Sequence, residues 1–98
     1  MKTYTVDVTQ TVQVTFDDTK FTPEFFAEYN SYITYLGGDD GDTENALRQH
    51  AENLAWMHAT GVARLDFPIM NPFVEGYGPV NDMGIEAVTT DTETVVTS

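Results

Sequence analysis

The chain has 98 residues, with sixteen Asp and Glu against four Lys and Arg, for a net charge of −12 with both histidines neutral. A surface this acidic repels a phosphate backbone, whose binding needs clustered Lys and Arg, so no direct binding of nucleic acid is expected. The absence of cysteine excludes disulfides and thiolate metal sites.

Hydrophobic residues make up 41% of the chain and include one Trp, five Tyr and six Phe, enough for one domain with a real core. The opening MKTYTV lacks the apolar stretch of a signal peptide. No apolar run approaches the ~18 residues of a membrane-crossing helix. A cytoplasmic protein without a membrane segment is expected.

Residues 3–16 alternate regularly. Tyr4, Val6, Val8, Val12, Val14 and Phe16 share one side, with Gln10 as its polar member, and Thr3, Thr5, Asp7, Thr9, Thr11, Gln13 and Thr15 share the other. The period of two predicts a half-buried strand. A two-residue hairpin turn inside it would shift the phase, and the phase holds across Thr9-Gln10. One long strand is expected, either continuous or bulged near Gln10.

Asp17 to Lys20 reads as a turn. Thr22-Pro23-Glu24 opens a helix, with Thr as N-cap, Pro at the first position and Glu at the positive end of the dipole. Phe25, Phe26, Tyr29, Tyr32, Ile33 and Leu36 continue at helical spacing up to Gly37-Gly38. The acidic loop GGDDGD follows. Asp42 or Thr43 then caps a second helix, about 43–60, whose expected stripe is Leu47, Ala51, Leu54 and His58, with Ala55 and Trp56 beside it.

Residues 62–82 are apolar but broken by Pro68, Pro72, Pro79, Gly76 and Gly78. They form either a packed loop or an exposed contact surface. Gly76-Tyr77-Gly78 reads as a turn that packs Tyr77. A second strand is expected over Met83–Val88, and a polar tail over 89–98 that could form strand at Val95-Val96. The fold class expected is α+β: a small antiparallel sheet of two or three strands with two helices packed on one face, in a single domain over 1–88.

Chemistry finds few residues to use. Asp40, Asp42 and Glu44 have the spacing that opens a calcium loop, but Asn45 stands where its Gly is needed and Ala51 where its bidentate Glu is needed. His50 and His58 are eight apart, about 12 Å along a helix, too far to share an ion. They read as a boundary residue and a core-facing residue respectively. The serines Ser31 and Ser98 lack a nucleophile motif. No cofactor and no catalytic activity is expected.

Binding to protein remains. Spaced carboxylates can imitate the charge pattern of DNA for a protein with a cationic nucleic-acid groove. The candidates are Asp17, Asp18, Glu24, Glu28, Asp39, Asp40, Asp42 and Glu44. The same residues also suit a merely solvated surface. A second candidate set is apolar: Phe67, Met70, Phe73 and Tyr77. The alternating strand Tyr4–Phe16 opens a further alternative, a structural or adaptor module that associates with itself through an uncovered edge.

Two stretches, YTVDVTQTVQVTFDDTKFTPEFFAEY (4–29) and FVEGYGPVNDMGIEA (73–87), are together similar to small proteins carried by phages and mobile elements of proteobacteria. That group includes anti-CRISPR inhibitors of type I surveillance complexes (Cascade). The resemblance covers about 41 of the 98 residues and brings no active-site motif. It implies a stoichiometric inhibitor in the bacterial host cell, without a reaction of its own, that binds a Cascade subunit and prevents recognition of target DNA. Inhibition of another DNA-handling defence enzyme is the neighbouring alternative.

Overall fold

A computed structural model describes residues 1–38, 41–63, 65 and 73–97. Asp39 and Asp40 of the acidic set, and Phe67 and Met70 of the apolar set, lie outside the described residues.

The elements in chain order are β1 (Val6–Thr15), a 3-10 turn (Asp18–Lys20), α1 (Pro23–Tyr32), α2 (Thr43–Ala59), β2 (Phe73–Val74), β3 (Gly78–Pro79), a second 3-10 turn (Val80–Met83) and β4 (Glu86–Val96). Among the described residues β1 pairs antiparallel with β4, and β2 with β3, giving two two-stranded sheets. The fold is α+β, with two helices and antiparallel strands as the sequence predicts.

Residues 89–96, expected as a polar tail with strand open only at Val95-Val96, are throughout the outer part of β4. Their Thr-rich composition hides a strand that pairs with the first strand of the chain. Met83, expected in that strand, belongs to the 3-10 turn before it. The register runs from Val6 opposite Val96 to Thr15 opposite Glu86, with a shift at Thr11/Val12. Thr11 faces Asp91 while Val12 faces Thr89, so the extra residue is Thr90 in β4. β1 is therefore continuous, and for that reason its alternation never changes phase.

Residues opposite one another share a face. One face carries Val12, Val14 and Ala87 near the helices and continues outward through Gln10, Val8 and Val6. α2 packs on the inner part of this ribbon. The core gathers Phe21, Phe26, Tyr29, Ala46, Leu54, Leu65, Tyr77, Val80, Ile85 and Ala87. Each large side chain in it contributes about 1.5–3 kcal/mol by leaving water.

The outer part of the ribbon projects beyond the helices. The radius of gyration is 15.7 Å, with extents of 54 × 32 × 22 Å, against about 13 Å for a compact chain of this length. Val12 and Val14 are half-buried, whereas Val6 and Val8 are 44% and 57% exposed.

α2 buries Ala46, His50 and Leu54. His50, expected at the boundary, is fully buried, and His58, expected toward the core, is only half-buried. The stripe is rotated from the expected one because the polar edge of His50 finds a buried hydroxyl partner, so burial does not require an apolar residue there.

Candidate protein-binding surface

Thr22 Oγ1 accepts from Phe25 N at 3.1 Å and opens α1, with Pro23 at its first position. This fixes Phe26 and Tyr29 inward and leaves Glu24, Glu28 and Tyr32 exposed. α1 ends at Tyr32, short of Gly37, because Asn30 turns the chain. Its Nδ2 donates to Gly37 O at 3.0 Å and its Oδ1 accepts from Leu36 N at 2.9 Å. The β2–β3 hairpin closes through Tyr77 N donating to Val74 O at 2.9 Å.

A buried clasp joins the hairpin to both helices. Tyr77 Oη lies 2.7 Å from His50 Nδ1, and Asn53 Nδ2 donates to both Tyr77 Oη and Tyr29 Oη at 3.1 Å. Burial pushes the Tyr77 phenol up, so it keeps its proton. Tyr77 Oη and His50 Nδ1 share this hydrogen bond, while His50 Nε2, on the far side of the ring, is buried with no partner among the described residues. Burial also holds His50 down at about 4, so the ring is neutral at neutral pH. The rings of Phe25, Phe26 and Tyr29 enclose it, with the Tyr29 centroid at 4.7 Å. Gly76 (φ +91°) lies directly over Tyr29, where a Cβ would come within 2.5 Å of the ring.

Above this clasp lie two shallow depressions that share Ile33 and Glu75. The first is lined by Phe25, Glu28, Tyr29, Tyr32 and Gly76 as well, and the second by Met57, Val62, Ala63, Phe73 and Val74. Tyr32 is 80% exposed and Phe73 is 73% exposed. Two carboxylates, Glu28 and Glu75, thus stand among exposed aromatic rings. A guanidinium or ammonium group suits such a place, because it can pair with a carboxylate while resting on a ring.

The structure divides the remaining acidic candidates. Asp17 caps the first 3-10 turn. Hydrogen bonds from the Thr19 hydroxyl (2.6 Å) and amide (3.1 Å) hold its carboxyl below the usual range. Asp42 caps α2, accepting from Asn45 N at 3.1 Å. Glu44 pairs with Arg48 at 3.4 Å, which offsets its charge. Asp18 and Glu24 are exposed. Of the apolar candidates, Phe73 is a surface residue, but Tyr77 is 5% exposed and belongs to the clasp. Its hydroxyl is spent inside the molecule, so it is not a contact residue.

Sequence reading missed Glu75 and Tyr32 as site residues. Tyr32 follows Glu28 by four, a spacing that shares a helix face. Glu75 carried no local signal, since it reaches α1 only through the tertiary fold. Compared with models of protein families, with curated proteins and with solved structures, the chain matches none. The geometry defines a small acidic α+β domain with two shallow depressions between α1 and the β2–β3 hairpin.

Proposed function

We propose that this chain is a non-catalytic anti-CRISPR inhibitor. It binds the cationic DNA path of a type I Cascade complex and blocks recognition of target DNA. One observation carries the reading: Glu28 and Glu75 stand beside the exposed Tyr32 in one depression of a chain charged −12. The net charge steers the domain toward a basic groove, and the depression gives a basic side chain somewhere to dock. The two stretches similar to phage-borne inhibitors support the reading further, because Glu28 lies in one and Glu75 and Phe73 in the other.

The test is a gel shift of target DNA by purified type I Cascade complexes with increasing amounts of this protein. Loss of the shift, with the protein co-migrating with the complex, is expected. Glu28→Lys together with Glu75→Lys is expected to weaken inhibition at least tenfold, since breaking one desolvated charge pair costs about 2–5 kcal/mol. Unchanged inhibition by the double variant would sink the charge-based mechanism. No effect of the parent protein on any complex would sink the inhibitor reading.

A further inference from the structure

The two outer edges of the β1–β4 ribbon are not alike. β4 carries three carboxylates in eleven residues, Glu86, Asp91 and Glu93. It also carries the bulge at Thr90, and near the body its edge is met by Leu65, whose carbonyl accepts from Ala87 N at 3.1 Å. Charge, bulge and cover are the ordinary protections of an edge strand.

β1 has none of these among the described residues. Over ten residues it holds one charge, Asp7, with no proline and no irregularity. Thr97 N donates to Thr5 O at 2.8 Å, so the odd-numbered residues of β1 bond inward to β4. By alternation Val6, Val8 and Gln10 direct their N–H and C=O groups to the open edge. A two-stranded ribbon is marginal alone in water, yet this one extends well past the helices.

We infer that the open edge of β1 pairs antiparallel with β1 of a second copy, giving a four-stranded sheet in the order β4-β1-β1-β4. Two copies at −12 repel one another, so charge selects this edge over that of β4, and the fit of β1 to itself in one register selects the occupant. In a chain at −12, two β4 edges would bring six carboxylates together, whereas two β1 edges bring two. With Thr9 on the two-fold axis, each Asp7 faces Thr11 of the other copy and the two aspartates stay apart. The same register sets Val6 against Val12 and Tyr4 against Val14. The shallow hollow lined by Val12, Val14, Ala51, Glu52 and Ala55 then lies beside the outer residues of the other copy's arm.

The experiment uses the absence of native cysteine. Thr9→Cys in the full chain is expected to form a disulfide-linked dimer under mild oxidation. Thr94→Cys, on the other strand of the same arm, is expected to cross-link far more slowly. Equal rates for the two variants would overturn the inference. Sedimentation of the parent chain is expected to give twice the 10.9 kDa chain mass, falling to one chain mass in Val8→Pro. That substitution removes an outward N–H and leaves the bonds to β4 intact. A parent that stays at one chain mass, or a folded Val8→Pro that stays at two, would also overturn it. Should Val8→Pro fail to fold, the cysteine pair stands alone as the test.

Discussion

The inner and outer halves of β1 have the same alternation and different fates. Val12 and Val14 lie under α2 and help close the core, whereas Val6 and Val8 repeat the pattern and stay exposed, with no helix above them among the described residues. A period of two therefore marks a face that is apolar, and says nothing of which chain covers it. In the body the cover is α2 and the aromatic cluster around His50. On the arm the inferred cover is a second copy, which the low charge of the β1 edge suits.

This contrast can be broken by mutation, beginning in the body. Leu54 is fully buried on the inner face of α2. Leu54→Ala is expected to cost about 2–5 kcal/mol, since it removes buried methyl groups and leaves a cavity. Denaturant unfolding would read this as a lower midpoint, and a loss below ~1 kcal/mol would mean that the core is placed wrongly. Gly76→Ala comes next, at about 2–3 kcal/mol, from an unfavourable positive φ and a clash with the Tyr29 ring. Because Gly76 lines the depression, the same variant is expected to weaken partner binding, which separates it from Leu54→Ala at matched stability.

The buried histidine gives a smaller, pH-dependent effect. His50 is held near 4 in the folded chain against 6.5 for an unperturbed imidazole. The unfolded chain therefore binds the extra proton first as pH falls. This contribution to stability is complete above pH 6.5, declines through the window from 6.5 to 4, and is flat below. Thermal unfolding between pH 7 and 5 samples the upper part of that window. A falling midpoint is expected, and His50→Leu is expected to flatten the slope while lowering the overall midpoint. A slope of the same size in His50→Leu would assign it to other groups.

The smallest effect belongs to the arm. Val8→Thr is expected to change the stability of the dilute, single-chain state by less than ~0.5 kcal/mol, because Val8 is already exposed there. A loss as large as that of a core residue would mean that the arm is packed within its own chain.

Much of the local structure was legible in the sequence. The caps Thr22 and Asp42 and the extent of α2 follow from residue type and spacing, because capping and periodicity are local. The end of α1 was not legible, since Asn30 closes it by bonding residues six and seven further on. The reach of β4 was hidden because TTDTETVV has weak hydrophobic alternation and owes its pairing to a strand some eighty residues away. The site was half legible. Glu28 was found through charge and Phe73 as an apolar candidate, whereas Glu75 joins them only through the hairpin that the clasp of Tyr29, Asn53, His50 and Tyr77 holds in place. That clasp was missed because a histidine in a helix does not announce a buried hydroxyl partner from another element.

Amide hydrogen exchange along β1, read residue by residue at low and high protein concentration, tests the division of this strand most directly. The inward amides of Gln13 and Thr15 are expected to be protected at both concentrations. The outward amides of Val6, Val8 and Gln10 are expected to exchange freely when dilute and slowly when concentrated. Free exchange of these three amides at every concentration would contradict the pairing of the arm with a second copy, as would equal protection at every concentration in a chain that sediments at one chain mass, since the edge would then be covered within one chain.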